Sequence, residues 1–126
     1  MWQRAPVATA IAGLLGAIDP SVSAFATPPE TLNPPAYVCA YPRRVEYNMA
    51  SLGVDLVTFV VSAFAGPTDP DTLDDLLSDA AAALNASPTL GASVQEGHVS
   101  GQDNWRRFNL AGAEVLAADL TLEIRM

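Results

Sequence analysis

From Leu116 to Met126 the chain alternates without a break. Leu116, Ala118, Leu120, Leu122, Ile124 and Met126 fall on one side, and Ala117, Asp119, Thr121, Glu123 and Arg125 fall on the other. Side chains of a strand point to opposite faces in turn, so this period of two describes a half-buried strand of an antiparallel sheet, dry on one face and wet on the other. A dry face must be covered, and two helical patterns supply the cover. In GPTDPDTLDDLLSDAAAALNASP, residues Leu73, Leu76, Leu77, Ala80, Ala81 and Leu84 form one apolar stripe. Asp69 is placed as the N-cap with Pro70 at N1, and Asp71, Asp74 and Asp75 sit near the positive end of the helix dipole. Asn85 and Pro88 mark its end, and Asp71, Asp75, Ser78 and Asp79 fall outside the stripe. Near the N-terminus, Val7, Ile11, Leu14, Leu15 and Ile18 share one face and predict a helix over Ala5–Ala17, with Pro6 tolerated in its first turn.

The proline-rich ATPPETLNPPA (26–36) reads as an extended connector, because each X-Pro step disfavours helix. Beyond it, Ala36–Tyr41 is extended, Pro42 interrupts the ladder, and Val45–Met49 alternates apolar with polar. After the turn ASLG (50–53), VDLVTFVVSAF (54–64) is rich in β-branched and aromatic residues, and together these predict a long hairpin. A weaker strand over 93–100, a GQDN loop (101–104) and a short strand through WRRFN complete the set. The order α-β-β-α-β-β predicts an α+β fold: one antiparallel sheet of four or five strands with two helices packed on one face. No repeat or linker divides the chain, so residues 1–126 are expected to form a single domain.

Composition narrows the functional classes. Half of the 126 residues are hydrophobic and 16% are charged, which opposes disorder. The formal charge of −8 repels phosphate backbones, so general nucleic-acid binding is disfavoured. Against that background, four of the six basic residues form two adjacent pairs flanked by aromatics, Arg43/Arg44 in YPRRVEY and Arg106/Arg107 in NWRRFN. Either pair suits an acidic protein partner or a solvated strand edge. The start of the chain also fits the outline of a secretory signal, with Arg4, an apolar run from Ala5 to Ile18 and an A-x-A site at 24–26. Asp19-Pro20 directly after the run, and the helical face within it, favour a helix of the fold, and 14 apolar residues are too few to span a membrane.

Catalytic patterns are sparse. His98 is the single histidine, and no nucleophile-elbow glycines surround any serine. DPDTLDD begins like a calcium loop but has Leu73 at its fifth position and lacks the glycine that should follow. Cys39 is the single cysteine, expected to be a small buried hydrophobe; with one histidine it makes no zinc site. Asn85-Ala86-Ser87 fits a glycosylation sequon, relevant to a secreted chain alone. These residues describe an acidic α+β domain without enzymatic signature, metal or cofactor.

The order of features resembles the tail terminator family of long-tailed, siphovirus-type bacteriophages. The resemblance rests on an N-terminal helix, the proline-containing strand entry LNPPAYVCAYP, the strand pair VEYNMASLGVDLVTFVV, the exit AFAGPTDPDTLDDLL into an Asp-capped helix, the connection ASPTLGASVQEG, and the closing FNLAGAEVLAADLTLEIRM. It implies a structural virion protein of the neck, assembled in the host bacterial cytoplasm. Six copies would form a ring that caps the tail tube, ends its polymerisation and provides the head–tail joining surface. The implied partners are further copies of the chain, the major tail tube protein, and a head–tail connector or head-completion protein. Genomic DNA would pass through the lumen without sequence-specific binding. On this reading Arg43, Arg44, Arg106 and Arg107 are expected at a subunit or tail interface, and Asp71, Asp75 and Asp79 on an acidic surface or lumen. Another neck component, or a small secreted bacterial binding protein, is the alternative.

Overall fold

A computed structural model describes residues 3–39, 42–48, 54–90, 94, 96–110 and 112–125. The elements run α1 (Arg4–Gly16), β1 (Ser23–Phe25), β2 (Ala36–Cys39), β3 (Arg44–Asn48), β4 (Val54–Ala65), α2 (Pro70–Asn85), β5 (Glu96–Leu110) and β6 (Ala113–Arg125). They make an α+β fold of two helices on a mixed, six-stranded sheet ordered β1-β2-β4-β6-β5, with β3 also paired to β4. The sheet is therefore larger than the four or five strands expected, and it is not wholly antiparallel, because β1 runs parallel to β2. Two causes account for the difference. Ser23–Phe25 is three residues long, too short to show a period. The expected first hairpin arm is two strands instead of one, β2 lying beside residues 61–64 of β4 and β3 beside residues 54–58. The ASLG turn, Tyr41, Met49, Ser93 and Met126 lie outside the described residues.

Alternation sorts the two faces of the sheet as the sequence implies. Val57, Phe59, Val61, Ala63 and Ala65 of β4 stand in register with Ile124, Leu122, Leu120, Ala118 and Leu116 of β6, and this face meets the helices. Val7, Ala8, Ile11 and Leu15 of α1, with Leu73, Leu76, Leu77, Ala80 and Leu84 of α2, complete the core. Leu14, Ile18 and Ala81, expected on the same faces, pack at its border. α1 lies over β1 and β2, and α2 over β4, β5 and β6. The helix-covered side carries most of the burial. Each large aliphatic removed from water there contributes about 1.5–3 kcal/mol.

Polar bonds also fasten the layers. The Tyr37 hydroxyl donates to Leu76 O at 2.6 Å. Arg4 Nη2 donates to Ala26 O at 2.7 Å and to Cys39 O at 3.0 Å, tying the start of α1 to the ends of β1 and β2. Asp69 holds the N-cap position of α2 as expected, yet its carboxylate makes no capping bond; the first helical bond is Leu73 N to Asp69 O at 3.2 Å.

On the opposite, open face the sheet is covered in part. Val38, Phe64, Val115 and Ala117 form a second apolar cluster against which Phe25 and Leu32 pack. The proline-rich segment thus folds over one half of the face instead of only crossing between elements.

Candidate functional site

The two arginine pairs have different surroundings. Arg43 and Arg44 sit at the entry to β3, on the sheet flank away from β5, and both are exposed. The Arg43 amide donates to Thr58 O at 2.8 Å, which fixes the backbone and leaves the side chain outside. Arg44 pairs with Glu46 on its own strand at 2.6 Å, the side chains being 70% and 51% exposed. A pair so wet contributes about 0–1 kcal/mol, so either guanidinium can accept another carboxylate at little cost.

Arg106 is engaged within the chain. Its Nη1 lies 3.2 Å from Oδ1 of Asp119, a residue only 6% exposed. The same carboxylate accepts from Ser62 Oγ at 2.7 Å and from Asn104 Nδ2 at 3.0 Å. Arg106 also donates to Asn104 O at 2.8 Å. This node explains why the expected GQDN loop is absent. Residues 101–104 lie inside β5, and the register shifts between Asp103 and Arg106, where Asn104 adopts φ 60°. A bulge absorbs the extra residues, and the carboxylate beneath pins both sides of it. Arg107 is exposed, donating to Glu114 Oε1 at 3.0 Å and to Pro67 O at 3.4 Å. The structure therefore leaves Arg43 and Arg44 as the outward pair and gives Arg106 an internal partner.

Asp119 was assigned by alternation to the wet face, and it does point to that face, but the second cluster and the bulge bury it. The available signal was an acid set among Ala117, Ala118 and Leu120, where its neighbours give it little water.

Asp71, Asp75 and Asp79 stand on the solvent side of α2 with Asp74, and all four are exposed. Asp79 reaches close enough to Tyr37 to help raise its phenol above the ordinary value, after burial, which is the larger cause. The acidic helix packs on β4, β5 and β6, so its outward side belongs to the helix-covered face, whereas Arg43 and Arg44 stand at the β3 edge of the sheet.

His98 is exposed on β5, directly across from Glu123. Cys39 is 1% exposed, its thiol donating toward Ala8 O at 3.7 Å. Burial pushes its pKa up to about 12 although the Arg4 charge pulls the other way, so it is an inert core thiol. Among the described residues no group of three or more His, Cys, Asp or Glu is placed to hold a metal ion, and no helix is long and apolar enough to cross a membrane. No family model matches the chain, and neither does any curated protein.

Proposed function

We propose that this chain is a phage tail terminator, six copies of which close a ring on the end of the tail tube. Its partners are then the major tail tube protein on one side and a head–tail connector or head-completion protein on the other. The observation that carries the reading is the placement of unlike patches on different parts of the surface. Arg43 and Arg44 stand exposed at the β3 edge, and Asp71, Asp74, Asp75 and Asp79 are exposed on α2, over the helix-covered face. A closed ring uses heterologous contacts, in which one patch meets a different patch of the next copy, and a molecule polarised in this way suits them. Size agrees: a chain of this length has a radius of gyration of about 14 Å, and six such bodies in a circle leave an opening on the order of 30 Å, wide enough for a duplex. A net charge of −8 keeps that opening from holding the passing DNA.

The test replaces Arg43 and Arg44 together with alanine and measures particle mass and tail attachment. Loss of the six-membered species and of joined tails is expected. Unchanged mass and attachment would remove this interface from the reading. A related neck component with the same fold differs in one observable, since a terminator contacts the last ring of the tube directly.

A further inference from the structure

Among the described residues, half of the open face is bare. The proline-rich segment covers the end holding Phe64 and Ala117, but at the other end Leu56 is 38% exposed. Two rows of side chains cross the sheet there. In the first, Glu46 stands opposite Leu56, Leu56 opposite Arg125, and Arg125 opposite Glu96. In the second, Arg44 stands opposite Thr58, Thr58 opposite Glu123, and Glu123 opposite His98. Directly opposed residues share a face, as do residues two apart on one strand. The geometry bears this out, because Glu46, Leu56, Thr58, His98, Glu123 and Arg125 line one shallow depression of about 140 Å³. Each strand thus carries two residues of this surface, one per row: Arg44 and Glu46 on β3, Thr58 and Leu56 on β4, Glu123 and Arg125 on β6, His98 and Glu96 on β5.

We infer that this half-face docks on the same half-face of a second copy, through a two-fold axis that runs across the strands, between the two sheets and midway between the rows. That rotation returns each strand position to itself and exchanges the rows. Glu46 then meets Arg44 of the second copy, Arg125 meets Glu123, Glu96 meets His98, and Leu56 meets Thr58. Both arginine–carboxylate contacts are complementary and each occurs twice, and the Glu96 carboxylate faces an imidazole that can donate to it. A two-fold axis along the strands would instead bring Glu46 against Glu96, so the charge pattern selects one of the two arrangements. Four strands about 4.8 Å apart give a narrow patch, well below the roughly 800 Å² per partner of a standard interface. The association is accordingly weak, concentration-dependent and lowered by salt. It is isologous and, apart from Arg44, uses residues outside the proposed ring contact: a ring of six pairs to twelve, and a single chain pairs to two.

Sedimentation velocity on the full chain at low salt, up to about 500 µM, tests it, a range suited to contacts of this size. The smallest species is expected to double in mass as concentration rises. Glu123→Arg and Arg125→Glu, each alone, turn two attractive contacts into two repulsive ones and lower the association constant at least about tenfold. The double exchange, E123R/R125E, keeps composition and net charge and restores association to within about threefold. Within one copy that exchange sets a cation beside His98 and a carboxylate beside Glu96, so a purely intrachain role makes the double variant worse than either single one. Rescue therefore reports the contact between copies. Absence of mass doubling in the wild type, single variants that associate like it, or failure of the double exchange to restore it would overturn the inference.

Discussion

Replacing Asp119 with alanine removes the anion that holds the β5 bulge. Its carboxylate is 6% exposed and accepts from Ser62 at 2.7 Å, Asn104 at 3.0 Å and Arg106 at 3.2 Å. Ser62 is buried at 9% exposure and finds no substitute acceptor easily, so losing a charge-assisted bond there costs about 1.5–3 kcal/mol. The Arg106 side chain is 30% exposed and can turn to water, so its share is well below the 3–5 kcal/mol of a fully buried broken pair, about 1 kcal/mol. Asn104 is exposed and adds little. The sum is about 3 kcal/mol, which for a chain of this size lowers Tm by roughly 10 °C. Urea denaturation should move the midpoint down with an unchanged slope. The exposed Arg107–Glu114 pair provides the contrast, since Arg107→Ala should cost no more than about 0.5 kcal/mol. A D119A variant that melts within about 3 °C of the wild type would refute the assignment of the node as the clamp of this bulge.

Two further outcomes follow from other parts of the fold. The Cys39 thiol is raised from 9.0 to about 12 and the Tyr37 phenol is also raised, in both cases because burial disfavours the charged form. The stability they contribute is fully present below pH 9.0 and is lost as pH climbs from there towards 12; alkaline titration of the melting temperature should show this fall, and Cys39→Ala should flatten it. Asn85 Oδ1 accepts the Val99 amide at 2.9 Å, and Pro88 O accepts the Gly97 amide at 2.6 Å, so the end of α2 and the following loop cap the first part of the β5 edge. Asn85→Ala should speed hydrogen exchange at Val99 while leaving Gly97 protected, at a cost of about 1 kcal/mol or less; equal exchange in both proteins would contradict the capping role.

Long periodic segments were legible because burial alone sets them. The α2 stripe, with Ala81 at its border, and the alternation of β6 as far as Ile124 appear in the structure with the same residues inward, and α1 runs Arg4–Gly16 where Ala5–Ala17 was expected. The strand at Ser23–Phe25 was not legible, since its pairing with β2 depends on a partner 13 residues away and on three residues without a pattern. GQDN reads as a loop by composition, but its residues 101–103 pair with β6 and the buried Asp119 holds Asn104 beside them. Of the candidate site, sequence supplied the arginine pairs and the acidic helix face. It did not separate Arg44, which is 70% exposed, from Arg106, which is held by an acid 13 positions further on. Adjacent arginines look alike until the opposing strand is in place.

Electron microscopy of the full chain, alone and mixed with tail tubes, tests the central reading most directly. Six-fold rings with an open centre, six times the 13.2 kDa chain mass, seated on tube ends that no longer elongate, are the expected result. Tube ends that stay bare and continue to grow while the protein remains a lone chain or a simple pair would contradict it.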